Sequence, residues 1–386
     1  MARLPLALVW LCGSLVAQST WVVDAAGGPG VHFLDLPSAV AAAADGDTIL
    51  VHAGPLGQGA DAFTTSKGLT IVGVGGDVPL YATHGLPFVV QNLLPGRSFR
   101  MAGFTRVGDG ELNFVLQGCG GDVHLENLHA RSPGPIWPAW PSIQVGMCST
   151  VTLRDVETFG SPAVDVTMSQ VVLESCRLGL TSIGVGGGEC VAATLSTVFA
   201  VESHLAPVWF ANAVRLDNAT IRIAGGGNAL LASGQTAGAN VPIVATGGSA
   251  VVLDPGVPVV TTPPGGPIVA GSAIVAIVPV AASWLPLPAT PGQLLTIVAS
   301  APPGSALFQA LGQPSRILPT AIGDLGIDAS ALYVFFAPLL VPPSGHVSNS
   351  VMVPVGLPLG ATFGTQSVIA SPLGISLGLP TAFTVQ

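Results

Sequence analysis

One short pattern recurs along this chain and constrains its fold more than any other feature. It reads apolar, any, apolar, any, then small or polar. Its clear members are Val123-His-Leu125-Glu-Asn127, Val151-Thr-Leu153-Arg-Asp155, Val171-Val-Leu173-Glu-Ser175 and Val198-Phe-Ala200-Val-Glu202. Ala219-Thr-Ile221-Arg-Ile223 and Val251-Val-Leu253-Asp254 are weaker members. A spacing of roughly 20 to 30 residues suits the coils of a solenoid with loops of variable length. No such coil buries its apolar face alone, so the coils must stack. A β-sandwich with irregularly spaced strands is the competing arrangement.

Alternation along a strand then sets two faces. If Leu125, Leu153, Leu173, Ala200, Ile221 and Leu253 point inward, the next residues point outward. That outer column reads Glu126, Arg154, Glu174, Val201, Arg222 and Asp254. With strands about 4.8 Å apart, opposite charges alternate up the column. It reads as a ladder of surface pairs, each contributing about 0–1 kcal/mol, with a binding stripe as the alternative.

Composition supports many short strands and turns. Hydrophobic types make up 49% of the chain and charged types 8%, the reverse of a disordered segment. Glycine (50) and proline (34) are abundant. A net charge of −9 with only 11 Lys and Arg argues against a nucleic-acid groove. Residues 1–19 read as a secretory signal peptide: Arg3, an apolar run from Leu4 to Val16, then Ala17-Gln18-Ser19 before a cleavage point at Thr20. The expected location is therefore secreted, extracellular or on the cell surface. An exported chain with Cys119, Cys148, Cys176 and Cys190 admits two disulfides, Cys119–Cys148 and Cys176–Cys190. Four buried free thiols are the alternative.

At the mature N-terminus, Trp21 to Asp24 precedes a short helical pattern over Leu36–Ala44, with Asp35 as N-cap beside Pro37. Asp45-Gly46-Asp47 turns the chain into a strand at Thr48–Val51, and Lys67-Gly68 precedes a second at Leu69–Val72. "PSAVAAAADGDTILVHAG" followed by "SKGLTIVG" resembles the opening of pectin-lyase-like proteins. That resemblance covers about Trp21 to Asp254 and implies a right-handed parallel β-helix closed by an amphipathic helix. The pattern departs after Gly54, where Leu56 stands at a position the superfamily often gives to an aromatic residue.

The organisation expected is a signal peptide at 1–19, a parallel β-helix at 20–254, a Pro/Gly-rich linker at 255–269 and a C-terminal β-sandwich at 270–386. Strands are expected at Gln293–Val298, Leu332–Phe336 and Val351–Val355. The apolar run Ile268–Val278 is broken by Gly271 and Ser272 and lacks basic flanks, so it reads as a buried strand and no transmembrane span is expected. The whole class is all-β.

The resemblance implies activity on acidic polysaccharides. Lyases of this superfamily need clustered carboxylates for calcium and a basic residue that abstracts a proton; hydrolases need two or three close carboxylates. Asp122, Glu126, Asp155, Asp165 and Glu174 are the carboxylate candidates, with Arg154 and Arg177 as basic partners. None sits in a family signature, and Asp155 shares a coil-corner position with Asn127 and Ser175. Trp137, Trp140 and Trp209 form a candidate carbohydrate platform. The sequence favours a non-catalytic structural or recognition scaffold with extracellular polysaccharide or cell-surface partners and no cofactor. A polysaccharide lyase or glycoside hydrolase is the alternative, with calcium only in the lyase case.

Overall fold

The structure, a computed structural model, describes residues 18–54, 62–75, 78–80, 86–106, 113–130, 141–158, 162–179, 189–207, 211–225, 229–234, 241–286, 289–372 and 374–385. Trp137, Trp140, Trp209 and residues 1–17 of the expected signal peptide lie outside them.

The repeat builds a right-handed parallel β-helix of about 8 turns. Its central core column runs Ile49, Ile71, Met101, Leu125, Leu153, Leu173, Ala200, Ile223, Leu253 and Ile277. A second runs Phe99, Val123, Val151, Val171, Val198, Ile221, Val251 and Val275. Ile221 is thus one inward position earlier than expected, and Ile223 takes the slot beside Ala200. Both residues have inward parity, so alternation alone does not choose between them. The shift also moves Arg222 beside Phe199, with its guanidinium carbon 5.7 Å from the ring centre.

Asn127, Asp155, Ser175 and Glu202 turn the corner after this sheet with φ between 48° and 53°. This left-handed backbone suits Asn and Asp far better than bulky residues, which explains the polar ending of each repeat.

The capping helix spans Leu36–Ala42, two residues shorter than expected, with Leu36, Ala39 and Val40 buried. The Asp35 carboxylate accepts from Ser38 N at 2.7 Å. The other end is closed from a distance: Lys67 Nζ donates to the carbonyls of Val40, Ala41 and Ala43 at 2.7–2.9 Å. Asp47 is buried and accepts from Ser19 N, Ala44 N and Trp21 Nε1. Burial opposes its ionisation, but these donors and the Lys67 charge hold its carboxyl below the usual range. The Gly-Asp-Thr and Ser-Lys-Gly segments are therefore the fastenings of the cap.

The coils pass Asp254. Val259–Val260 and Val269–Ile277 join the parallel ladder, so residues 255–269 belong to the last coil and are not a linker. Their prolines and glycines make its turns. The Ile268–Val278 run does contain a strand, but one that lies at the end of the stack and is largely exposed. No helix among the described residues is long and apolar enough to cross a membrane.

Beyond it the pairing becomes antiparallel. One sheet holds Ala282–Trp284, Leu294–Ser300 and His346–Met352. The other centres on Ala306–Thr320 and Thr362–Ser371, flanked by Gly323–Phe335, Gly374–Leu377 and Thr381–Thr384. Leu295, Ile297, Leu311, Val353 and Phe383 pack between them, as in a small β-sandwich.

Cys119, Cys148, Cys176 and Cys190, the cysteines among the described residues, are buried free thiols, which corrects the disulfide expectation. Each sulfur faces a backbone carbonyl. Cys148 Sγ reaches Gly146 O and Leu116 O at 3.4 Å, and Cys176 Sγ reaches Leu153 O at 3.2 Å and Glu174 O at 3.5 Å. Ser196 and Ser203 make the same pair of contacts, to the carbonyl two residues back and to one on the preceding coil. Cys119, Cys148 and Cys176 thus stand where serines can in an inner-corner ladder, while Cys190 Sγ meets Leu178 O at 3.2 Å. Burial pushes the Cys176 thiol up to about 12, which keeps it protonated and unreactive. Unreduced residues 20–386 are expected to titrate four thiols when unfolded and none when folded. Cys176→Ser should retain the fold. A Cys119–Cys148 bridge in unreduced peptides would contradict this arrangement.

Candidate functional site

The outer column does not face solvent. Glu126, Arg154 and Glu174 stack in register on adjacent coils at 3%, 4% and 0% exposure. The antiparallel sheets cover them. Arg154 pairs through Nη1 with Glu126 and through Nε with Glu174 at 3.3 Å. Thr384 N donates to Glu126 Oε2 at 2.8 Å, Leu285 N donates to Glu174 Oε1 at 3.0 Å, and Arg154 Nη2 donates to Leu285 O at 3.4 Å. The expected surface ladder is instead a buried Glu–Arg–Glu triad that fastens the C-terminal sheets onto the helix. Beside it Val172, Phe199, Val201 and Ala224 pack against Val280, Ala282, Trp284 and Leu379.

One guanidinium serves two carboxylates here. Burial raises Glu174 to about 7, against the pull of Arg154 and the Leu285 hydrogen bond. Burial likewise raises Glu126. His124, one outward position away, is buried, and desolvation beside Arg100 drives it down to about 3.

Of the catalytic candidates, Glu126 and Glu174 are committed to the triad, and the aspartates are not gathered. Asp122 is in register with Thr150, and Asp155 lies five residues farther along that strand, about 16 Å away at roughly 3.3 Å per residue. Asp165 is on another sheet, in the strand Val164–Thr167, with burial raising its carboxyl. Asp155 sits at its corner 3.6 Å from His129 Nε2, a contact that holds it below the usual carboxylate range. Arg177 is exposed and in register with Glu157, and Arg154 is committed to the triad. These carboxylates do not assemble the calcium cluster or the close pair that polysaccharide cleavage requires.

The structure instead places a cleft of about 720 Å³ between the N-terminal coils and the antiparallel sheets. Leu295, Leu311, Tyr333, Phe363 and Phe383 line it, and Arg100 contributes its charge from the helix side. Arg100 stands in the outer column Thr48, Thr70, Arg100, His124 and Thr152. Its Nε donates to Ser98 Oγ at 3.0 Å, and Nη1 donates to Thr362 Oγ1. Among the described residues no carboxylate pairs with it directly. Desolvation therefore brings it down to about 10, only partly offset by the more distant Asp122 and Glu126. Sequence reasoning did not single out Arg100. The available signal was Ser98-Phe-Arg-Met-Ala102, an earlier turn of the same alternating pattern.

No family model matches the chain, and no curated protein or solved structure matches it.

Two outcomes follow from the triad. Arg154→Leu strands two buried carboxylates and should cost about 3–5 kcal/mol in denaturant unfolding. Glu174 keeps its proton to about pH 7 when folded and to 4.5 when unfolded. Its contribution to stability is thus full below pH 4.5 and is lost as pH rises through 7. Glu174→Gln keeps the acceptor for Leu285 without that titration. In thermal melts it should match the unaltered chain near pH 4.5 and exceed it above pH 7.

Proposed function

We propose that this chain is an exported, non-catalytic recognition scaffold. Its β-helix holds the antiparallel sheets in place, and the cleft between them takes an apolar molecule bearing one acidic group. The observation that carries this reading is Arg100, an under-compensated cation at the edge of an otherwise largely apolar cleft. A cleft of this volume lies within the usual range for small-molecule sites, which combine apolar walls with a few orienting polar groups. Walls of leucine, valine and phenylalanine suit a hydrocarbon body better than a sugar ring, whose hydroxyls need partners. The guanidinium suits a carboxylate, which it can engage in a bidentate manner. Export is supported by the apolar Leu4–Val16 run and the small residues before Thr20.

Calorimetric titration with dodecanoate and with dodecanol tests the site. Dodecanoate is expected to bind more tightly, and Arg100→Gln should weaken it about tenfold or more, as hydrogen bonds to charged groups contribute about 1.5–3 kcal/mol. Leu311→Trp should block both compounds by filling the cleft. Equal binding of the two compounds, or no effect of Arg100→Gln, overturns the assignment. Export is checked by N-terminal sequencing of the released protein, which should begin at Thr20.

A further inference from the structure

The two ends of the β-helix differ. The first coils are closed by the helix Leu36–Ala42, whose Leu36, Ala39 and Val40 join the core. The last coil has no such cover among the described residues. The core columns run straight to it: Val251 and Leu253 are buried, while their next neighbours, Val275 and Ile277, are 46% and 55% exposed. Ile274, on the outward side of the same strand, is 74% exposed. The strand Val269–Ile277 pairs along one edge with Ile243–Leu253, and no described residue pairs with its other edge. Such an edge presents a row of backbone donors and acceptors, and natural proteins usually guard it with lysine, proline or an inward charge. Here no charged residue occurs between Asp254 and Arg316, and Val269–Ile277 contains no proline.

We propose that two copies of this chain join end to end by antiparallel pairing of Ala273–Ile277 about a two-fold axis at Val275. Three observations select a second copy as the occupant. The open edge suits a strand, because its row of backbone donors and acceptors is a template for pairing with another chain. The segment is complementary to itself: Ala273 of one copy opposes Ile277 of the other, Ile274 opposes Ala276, and Val275 meets Val275. Small thus meets large at each unlike pair, on the core-facing side and on the outer side alike. The opposite end carries the capping helix, so head-to-tail growth into a fibre is blocked and the closed two-fold pair is the arrangement that remains. Pairing would extend the column Leu253, Ile277 into the second molecule and make one continuous core.

This surface is separate from the cleft. Arg100 and Ala276 stand seven rungs apart in one outer column, about 34 Å at roughly 4.8 Å per rung. Ligand binding and self-association therefore succeed or fail independently.

Light scattering on the full mature chain, coupled to size exclusion, tests the proposal. The unaltered protein is expected to run as a dimer. Val275→Lys and Val275→Glu should each run as a monomer, and an equimolar mixture of the two should recover the dimer, because the axis brings the two 275 positions together. Val355→Lys, at a position 83% exposed on the C-terminal sheets, should leave the dimer intact. If Val275→Lys melts early, Ile274→Lys on the outer side reads the same contact. A monomer at the highest soluble concentration overturns the proposal. So does a dimer that survives both lysine variants, or a mixture that stays monomeric.

Discussion

A single coil of this chain has an apolar inner face and nothing to bury it against except the coils above and below. The parallel ladder supplies that burial and the backbone hydrogen bonds together. Leu125 lies on Leu153, and Leu153 on Leu173, because the same inward parity is repeated at each coil. The rest of the structure depends on this stacking. It needs a closed first coil, which the Leu36–Ala42 helix provides. It leaves the last coil with Val275 and Ile277 half uncovered. It also sets the outward residues in columns, so that whatever occupies one column meets its own neighbours at a fixed spacing.

That last consequence decides how the charges are used. A chain with so few charged side chains places three of them, Glu126, Arg154 and Glu174, in one column and then covers them. Two carboxylates and one guanidinium under the antiparallel sheets are costly to desolvate, and such groups are sustained by geometry and by additional hydrogen bonds. Thr384 N and Leu285 N supply those bonds from the covering sheets. The same cover buries His124 and partly desolvates Arg100 where it thins into the cleft. The docking of the sheets and the cleft at their edge are therefore two results of one packing event.

Much of the fold was legible because period-two alternation is local. The inward set through Ala200, the polar corner at Asp155 and the capping helix with its Asp35 cap all follow from neighbouring residues. Where several positions share the same parity, as Ile221 and Ile223 do, the local pattern is silent about register. Cysteine spacing placed Cys119 and Cys148 on neighbouring coils. It could not tell a bonded pair from two neighbouring thiols that each also meet a backbone carbonyl, as the stacked serines do. The candidate site was the least legible part. Arg100 lies 262 residues from Thr362 in sequence, yet the two share a hydrogen bond.

The sequence by itself determined the repeating inward face, the turns between strands and the alternating charge of the outer column, because each depends on side-chain chemistry within a few residues. Tertiary structure alone decided which outward faces meet water. The C-terminal sheets fold back over the column of Glu126, Arg154 and Glu174, turning a surface ladder into a buried fastening, and they stop short of the last coil. Those outcomes depend on where one apolar surface finds another across more than a hundred residues, and no local pattern encodes that distance.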